Sequence, residues 1–493
     1  MLRDLNKYYS SLLLFTIVLA GLIFFWGLGS LDLMSLNEGR RALAIKEMVT
    51  TQDWLLPHLN GELYLTKPPL LYWLSSSFAS IGGINEWTIR LPSALAAVAT
   101  LCMVYQYTRK QSSDWAALFS IQLLMANIGF SQLGRRAEIE MLLTALCVGA
   151  ILSAIQYIHT QSQKKWIYLS YFLLGLAMMA KGPVALLFVT VPLITAAIIT
   201  KSPAIKDVLL NWRGWLIFLV VGLAWYAIVT WKLGFDIWSV IAKRDMLEKM
   251  QSGSAKPLLS YAGWIAVDFM FLIGLFFVRF KQTLQEQSNN QLDGKLKNHF
   301  QHLFKLLTVP EKCVLIMAVI MPFILFSLFS NKHAKYLLPI YPFIAILLGI
   351  KISNLLTTAK DNIKTLFILI GLLLTTGFAI YYLFFEPRIF AYRVAVFPAF
   401  KQWLASNNQS ALLAYKNIDS RLVYYANKPI KIVSDTKLKL AKNAGESFFV
   451  LAENDEKKAL EPLADCLKKE FKPYLKQQKT LSVFGFGKVC STN

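Results

Sequence analysis

The sequence predicts a mainly α, polytopic membrane helical bundle of about eleven spans that ends in a small α/β domain, and three observations carry the prediction. Apolar residues make up 56% of the 493 positions and charged ones only 16%, with a mean hydropathy of +0.47. A chain so composed lacks the polar surface that water demands, so lipid must be part of its solvent. Apolar runs approaching the ~20 residues that cross a bilayer recur along its length. Clusters of Lys and Arg occupy alternate connections between those runs.

The first run, 11–29, is followed by no small-residue cleavage site and reads as a retained helix. Further runs lie near 91–107, 115–133, 141–158, 166–180, 184–199, 215–231, 261–278, 313–329, 337–350 and 366–385. Basic residues such as Arg3, Arg109, Lys165, Arg213 and Lys351 then fall on one side, which the positive-inside rule makes the cytoplasm. This predicts a cytoplasmic N-terminus and a tail on the opposite, outer side. The division expected is a transmembrane domain, 1–385, and a periplasmic C-terminal domain, 386–493.

Three outer segments are too long for simple turns: 31–90, 232–259 and the tail. The first holds an amphipathic stretch after Asn37 and an apolar run, 68–84, that begins with Pro68-Pro69 and reads as a helix lying in the interface. The tail alternates strand-like runs (411–415, 422–425, 447–451) with polar helical stretches such as 456–471. Cys102, Cys147 and Cys313 lie in or beside apolar runs, whereas Cys466 and Cys490 lie in the tail and are expected to pair in an oxidising compartment. Neither CxxC nor HExxH occurs, so no metal site is expected, although a divalent metal stays open.

The net charge of +22 suits anionic head groups or anionic substrates. Nucleic acid is not expected as a partner, because the basic residues are scattered between apolar spans instead of forming a stripe. Their placement is the informative anomaly. The outer side, which should be poor in cations, carries Arg40, Arg41, Lys67, Arg135, Arg136, Lys181, Lys243, Arg244, Lys249, Lys256, Lys332 and Lys335. Glu38, Glu138 and Glu140 stand among them at the mouths of spans, where ionisable groups are functional suspects.

The string Asn37-Glu38-Gly39-Arg40-Arg41, followed by Tyr64-Leu65-Thr66-Lys67-Pro68-Pro69-Leu70-Leu71-Tyr72-Trp73, resembles the bacterial lipid A aminoarabinose transferases and their protein mannosyltransferase relatives. The resemblance continues through Arg90-Leu91-Pro92-Ser93, Arg136 to Leu143, Lys181-Gly182-Pro183, Lys335-Tyr336-Leu337-Leu338-Pro339 and Leu422-Val423-Tyr424-Tyr425. It implies the GT-C architecture and an inverting transfer of sugar from a polyprenyl (undecaprenyl) phosphate to an envelope acceptor, lipid A foremost. The family's first outer loop presents Asp-Glu-x-Arg; the aspartate position is Asn37 here, which leaves Glu38 as the carboxylate of the motif. The resemblance implies that Arg40 and Lys67 hold the carrier phosphate and that Glu140 stands for a second family carboxylate.

The chemistry fits those residue types. A departing phosphate monoester gathers negative charge, which fixed cations stabilise. Lys67 offers a point charge, Arg40 a planar fork, and Arg244 and Lys249 further donors. A hydroxyl acceptor needs a carboxylate base and a phosphate acceptor does not. Glu38 is either that base or an acid favourable to the helix dipole and to Arg41, and Glu140 either orients the acceptor or pairs with Arg136. Tyr64, Lys335 and Tyr336 either reach the substrate or belong to the interfacial belt. No organic cofactor is expected. Two other functions stay open: a protein or glycan O-glycosyltransferase with the same donor, and a non-catalytic transporter of lipid-linked sugars.

Overall fold

Helix α1 (Leu2–Phe25) leads to α2 (Leu36–Thr51), a hairpin of β1 (His58–Leu59) and β2 (Glu62–Leu63), then α3 (Leu70–Gly82) and α4 (Glu86–Gln111). Next come α5 (Asp114–Met125), α6 (Ile128–Gly134), α7 (Ile139–Thr160), α8 (Lys165–Lys181), α9 (Val184–Thr200), α10 (Pro203–Leu210) and α11 (Trp212–Leu233). They are followed by α12 (Ser260–Asp268), α13 (Pro310–Leu328), a 3-10 turn (Ala334–Ile340), α14 (Tyr341–Thr358) and α15 (Asp361–Ile380). The computed structural model describes residues 2–241, 243, 256–269, 305–358, 361–407, 410–453, 455–474 and 479–491.

Among the described residues seven helices are long and apolar enough to cross a membrane, or eight if α5 and α6, bent by 71°, form one broken span. The bend is chemically prepared: Ala126 closes α5 and Asn127 caps α6, its Oδ1 accepting from the Phe130 amide at 2.8 Å. Of the eleven apolar runs in the sequence, those at α8 and α9 form helices of 17 residues. At 1.5 Å per residue these reach about 26 Å, short of a ~30 Å hydrocarbon core. The run at 261–278 is described only as far as 269.

The chain divides into two compact units, the first being Met1–Phe25, Thr66–Leu71 and Ser93–Ala379. Helix α7 is its centre, with 89% of its apolar window buried, against 22% for α1. Helices α8 and α11 approach through glycines. A methyl group at Gly175 would stand 2.9 Å from the Val221 side chain and 3.2 Å from the Gly222 nitrogen. Small residues allow such contact where lipid supplies no hydrophobic drive between helices.

The second unit is Trp26–Leu65, Tyr72–Pro92 and Ile380–Asn493, so the first long loop and the tail fold together. The tail supplies α16 (Glu386–Val394), α17 (Val396–Ser406), β3 (Ala411–Tyr415), α18 (Ser420–Ala426), β4 (Lys431–Val433), α19 (Asp435–Asn443), β5 (Phe448–Glu453), α20 (Asp455–Leu460), β6 (Cys466–Tyr474) and β7 (Lys479–Phe486). The five strands lie in the order β4-β3-β5-β7-β6, parallel around β3 and antiparallel from β5 onward. All six residues of β5 are buried, and Val450, Ala452, Phe484 and Phe486 pack with Tyr415 and Leu438 in the core. Cys466 and Cys490 are joined by a disulfide.

Two local expectations in the tail change. The run 422–425 belongs to α18, because Asp419 caps the segment by accepting from the Arg421 amide at 3.0 Å; four apolar residues alone carry no period that separates helix from strand. The stretch 456–471 is helical only through Leu460 and then becomes β6. Pro462 cannot continue a helix, which explains the change.

Candidate active site

Residues of the first motif sit on the opening turn of α2. Ser35 caps that helix by accepting from the Glu38 amide at 3.1 Å, and Glu38 Oε2 accepts from the Met34 amide at 2.8 Å. The reciprocal arrangement is a capping box displaced by one residue. Glu38 is 0% exposed and Arg90 3%. Arg90 Nε donates to Glu38 Oε1 at 2.8 Å and Nη2 to Oε2 at 3.3 Å. The remaining donors of Arg90 satisfy the carbonyls of Leu28 and Leu31, at 2.7 and 2.8 Å, and of Asp32 at 3.2 Å. Both oxygens of Glu38 are therefore engaged within the protein, and Arg90, brought from α4, is bound to both. Asn37 is exposed, Arg41 is buried, and Arg40 and Tyr64 are half-buried.

The tail holds the same loop. Tyr425 Oη accepts from the Leu33 amide at 2.8 Å and donates to Glu86 Oε1 at 2.8 Å. Lys46 Nζ donates to the Tyr424 carbonyl at 2.5 Å, and Asn60 exchanges hydrogen bonds of 2.8 and 2.9 Å with the backbone of Ile430. Lys401 lies 3.5 Å from Asp32 and 4.0 Å from the centre of the Tyr425 ring. Burial raises the Asp32 carboxyl above its ordinary range against the pull of Lys401. Burial also pushes the Lys46 ammonium down to about 8, with Glu47 opposing.

The first unit carries a second cluster, at the head of α7. Lys335 Nζ donates to Glu138 Oε2 at 3.1 Å and lies 3.5 Å from Glu140 Oε1. Lys181 donates to Glu140 Oε1 at 3.3 Å, and its ammonium stands 4.7 Å from the centre of the Tyr336 ring. Glu140 thus meets lysines from α8 and from the 3-10 turn. The two residues after Lys181 fix its place at the helix end: Gly182 adopts φ +77°, a left-handed conformation that suits glycine, and Pro183 begins the next helix. Lys67 is half-buried and is succeeded by Pro68-Pro69, which defer helix α3 to Leu70.

Of the sequence-predicted residues, Glu140, Lys335 and Tyr336 come together with Lys181, and Glu38 and Arg40 share one helix turn. Arg244 and Lys249 lie outside the described residues. Sequence reasoning gave no role to Arg90, Glu86 or Arg421. Arg90 did carry a signal, since an arginine entering an apolar span must find partners. Among the described residues no group of three or more His, Cys, Asp or Glu side chains could hold a metal ion.

Comparison with known proteins adds to this geometry. A family model described as dolichyl-phosphate-mannose-protein mannosyltransferase matches residues 66–228. An uncharacterized protein of Aquifex aeolicus is 27% identical over 420 residues, covering 84% of this chain and 87% of that one. A Pectobacterium atrosepticum protein named undecaprenyl phosphate-alpha-4-amino-4-deoxy-L-arabinose arabinosyl transferase is 22% identical over 355 residues, 70% of this chain and 60% of that protein. The crystal structure of ArnT from Cupriavidus metallidurans bound to undecaprenyl phosphate matches with a TM-score of 0.74 at 16% identity, covering 96% of this chain and 98% of that chain. Spans, tail sheet and shared fold define a polytopic membrane protein of GT-C architecture, and the family match and named relatives indicate glycosyltransferase activity with a lipid-linked sugar donor. Within that class the chain is similar to the bacterial aminoarabinose transferases and, over residues 66–228, to the protein mannosyltransferases.

Proposed function

We propose that the protein transfers a sugar from a polyprenyl-phosphate carrier to lipid A or a similar envelope glycolipid, on the periplasmic face of the bacterial inner membrane. The observation that carries this reading is the cluster at the head of α7, where Glu138 and Glu140 meet Lys181 and Lys335. Two carboxylates under two ammonium groups can orient a polar acceptor and receive its proton, while the motif cations Arg40 and Lys67 serve the leaving group. Arg244 and Lys249 are further candidates for that phosphate, and Tyr64 and Tyr336 for flanking the sugar.

In the reaction the acceptor oxygen bonds to C1 of the sugar from the face opposite the carrier. The bond between C1 and the phosphate oxygen breaks, and its electron pair leaves with polyprenyl phosphate. Arg40 binds the departing phosphate through its fork and Lys67 through a point charge, lowering the barrier as negative charge grows. With a hydroxyl acceptor Glu140 takes the proton; with a phosphate acceptor, already ionised, it orients the nucleophile. Glu38 serves this site indirectly, by fixing Arg90 and the start of α2. Asn37, exposed on the same turn, offers substrate an uncharged amide.

The test is turnover by the purified protein in lipid vesicles holding a polyprenyl-phosphate sugar and lipid A. Free polyprenyl phosphate and lipid A heavier by one sugar are expected. Arg40→Ala and Lys67→Ala should each slow release by about ten- to a hundredfold. Movement of intact donor across the bilayer without cleavage would refute the enzyme; cleavage with transfer to protein or another glycan would refute the acceptor.

A further inference from the structure

The tail has no part in the chemistry above, yet one of its side chains reaches the turn that carries the motif. At Gly39 an added methyl group would stand 2.3 Å from Cγ of Arg421, 3.2 Å from its Cδ and 3.3 Å from its backbone nitrogen. Helix α2 therefore lies directly on the stem of Arg421, one residue from Glu38 on one side and from Arg40 on the other.

That stem has no freedom to yield. Arg421 is 0% exposed, and its Nε donates to both Asp419 oxygens, at 3.0 and 3.2 Å, while its Nη2 donates to Asp419 Oδ2. Asp419 is fixed in turn. Its carboxylate caps α18 by accepting from the Arg421 amide, and its own amide donates at 3.1 Å to Glu453 Oε1 at the end of the central strand β5. The guanidinium also lies 5.2 Å from the centre of the Phe397 ring, on α17. A continuous set of contacts thus runs from the tail sheet through Glu453, Asp419 and Arg421 to the backbone of α2. The attachments at Leu33, Asp32, Lys46, Asn60 and Glu86 hold the loop before the turn or beyond it.

We propose that Arg421 is a positioning residue: it sets the first turn of α2, and so the angle at which Arg40 is presented to the donor's phosphate. The inference rests on the reading that Arg40 holds that phosphate. A fully buried ion pair adds little net stability over apolar residues of the same shape, but a bidentate arginine fixes geometry that such residues would not.

The test is a mutational cycle in the full-length protein, read as KM for the polyprenyl-phosphate donor, kcat and melting temperature. Gly39→Ala should raise donor KM about tenfold, since the added methyl must push α2 off the pinned stem. Arg421→Ala, which removes the stem, should make room, so that the double variant binds donor better than Gly39→Ala alone; this compensation is a coupling that two independent defects would not produce. Should Gly39→Ala fail to accumulate, Asp419→Asn with Arg421→Met replaces it, removing fork and counter-charge while keeping cap and stem. A three- to tenfold rise in donor KM is expected, with kcat falling as well because the same fork serves the departing phosphate. Unaltered donor KM in whichever of these folds, or a double variant no better than Gly39→Ala alone, overturns the inference. If Arg40→Ala itself leaves donor KM unchanged, the failure lies in the assignment of Arg40 to the phosphate.

Discussion

Glu38 and Glu140 each stand in the first turn of a helix, each opposite a cation brought from another element, yet their surroundings differ. Glu38 faces an arginine that is itself spent on three backbone carbonyls, and the pair is closed to solvent. Glu140 faces two lysines whose side chains keep 15% and 20% of their exposure, on flexible stems and at 3.3 and 3.5 Å. An arginine with its donors filled makes a strut, whereas lysine ammonium groups can exchange one acceptor for another as substrate enters. The same residue type in the first turn of a helix thus meets a rigid surround in one region and an adaptable one in the other, and the proposed division into support and chemistry follows the cation it meets.

The largest effect expected from breaking that contrast is at Arg90. Arg90→Leu takes the arginine out of the buried pair with Glu38 and should cost about 3–5 kcal/mol, as removal of one partner of a buried pair does. Unfolding in detergent measures it, and a loss below about 1 kcal/mol would mean that the pair is no strut. Glu140→Gln should do the reverse, slowing transfer by about a hundredfold at a melting temperature close to wild type, if the acceptor is a hydroxyl. Equal damage to stability and turnover there would erase the distinction between the two regions. Lys335→Met should fall between, at about tenfold in turnover, because Lys181 still faces Glu140.

The smallest effect is a pH dependence. Lys46, with an ammonium pKa held near 8, binds fewer protons in the folded protein than in the unfolded chain between about pH 8 and 10.5. The penalty for burying its charge is therefore full below pH 8 and fades as the pH rises toward 10.5. The difference in melting temperature between wild type and Lys46→Met should shift in favour of wild type across that window. A difference that stays constant from pH 7.5 to 10.5 would show that burying this charge costs nothing.

Much of the fold and part of the site are legible in the sequence. Apolar length locates the helices long enough to cross, and ionisable groups at the mouths of apolar runs single out Glu38, Glu138 and Glu140. What stays hidden depends on partners distant in sequence. Spacing suggests Arg41 for Glu38 and Arg136 for Glu140 because they lie within one turn; it gives no hint of Arg90, which the structure brings to the first, or of Lys181 and Lys335, which it brings to the second. Arg421 gives no signal, since an arginine in a polar tail looks solvated until a fold buries it. The helix at 420–426 reads as a strand because its polar cap, not its apolar residues, determines its conformation.

The hydrogen bond from the Leu33 amide to Tyr425 closes a separation of 392 residues. At a synthesis rate of about 5–20 residues per second, the first long loop leaves the ribosome about 20–80 seconds before Tyr425 exists. Throughout that interval the Leu33 amide must make do with water or another partner, while the pair between Glu38 and Arg90, only 52 residues apart, can already close. Assembly of this loop is therefore split in time: a strut that forms early keeps the segment folded enough to wait, and the tail completes it last.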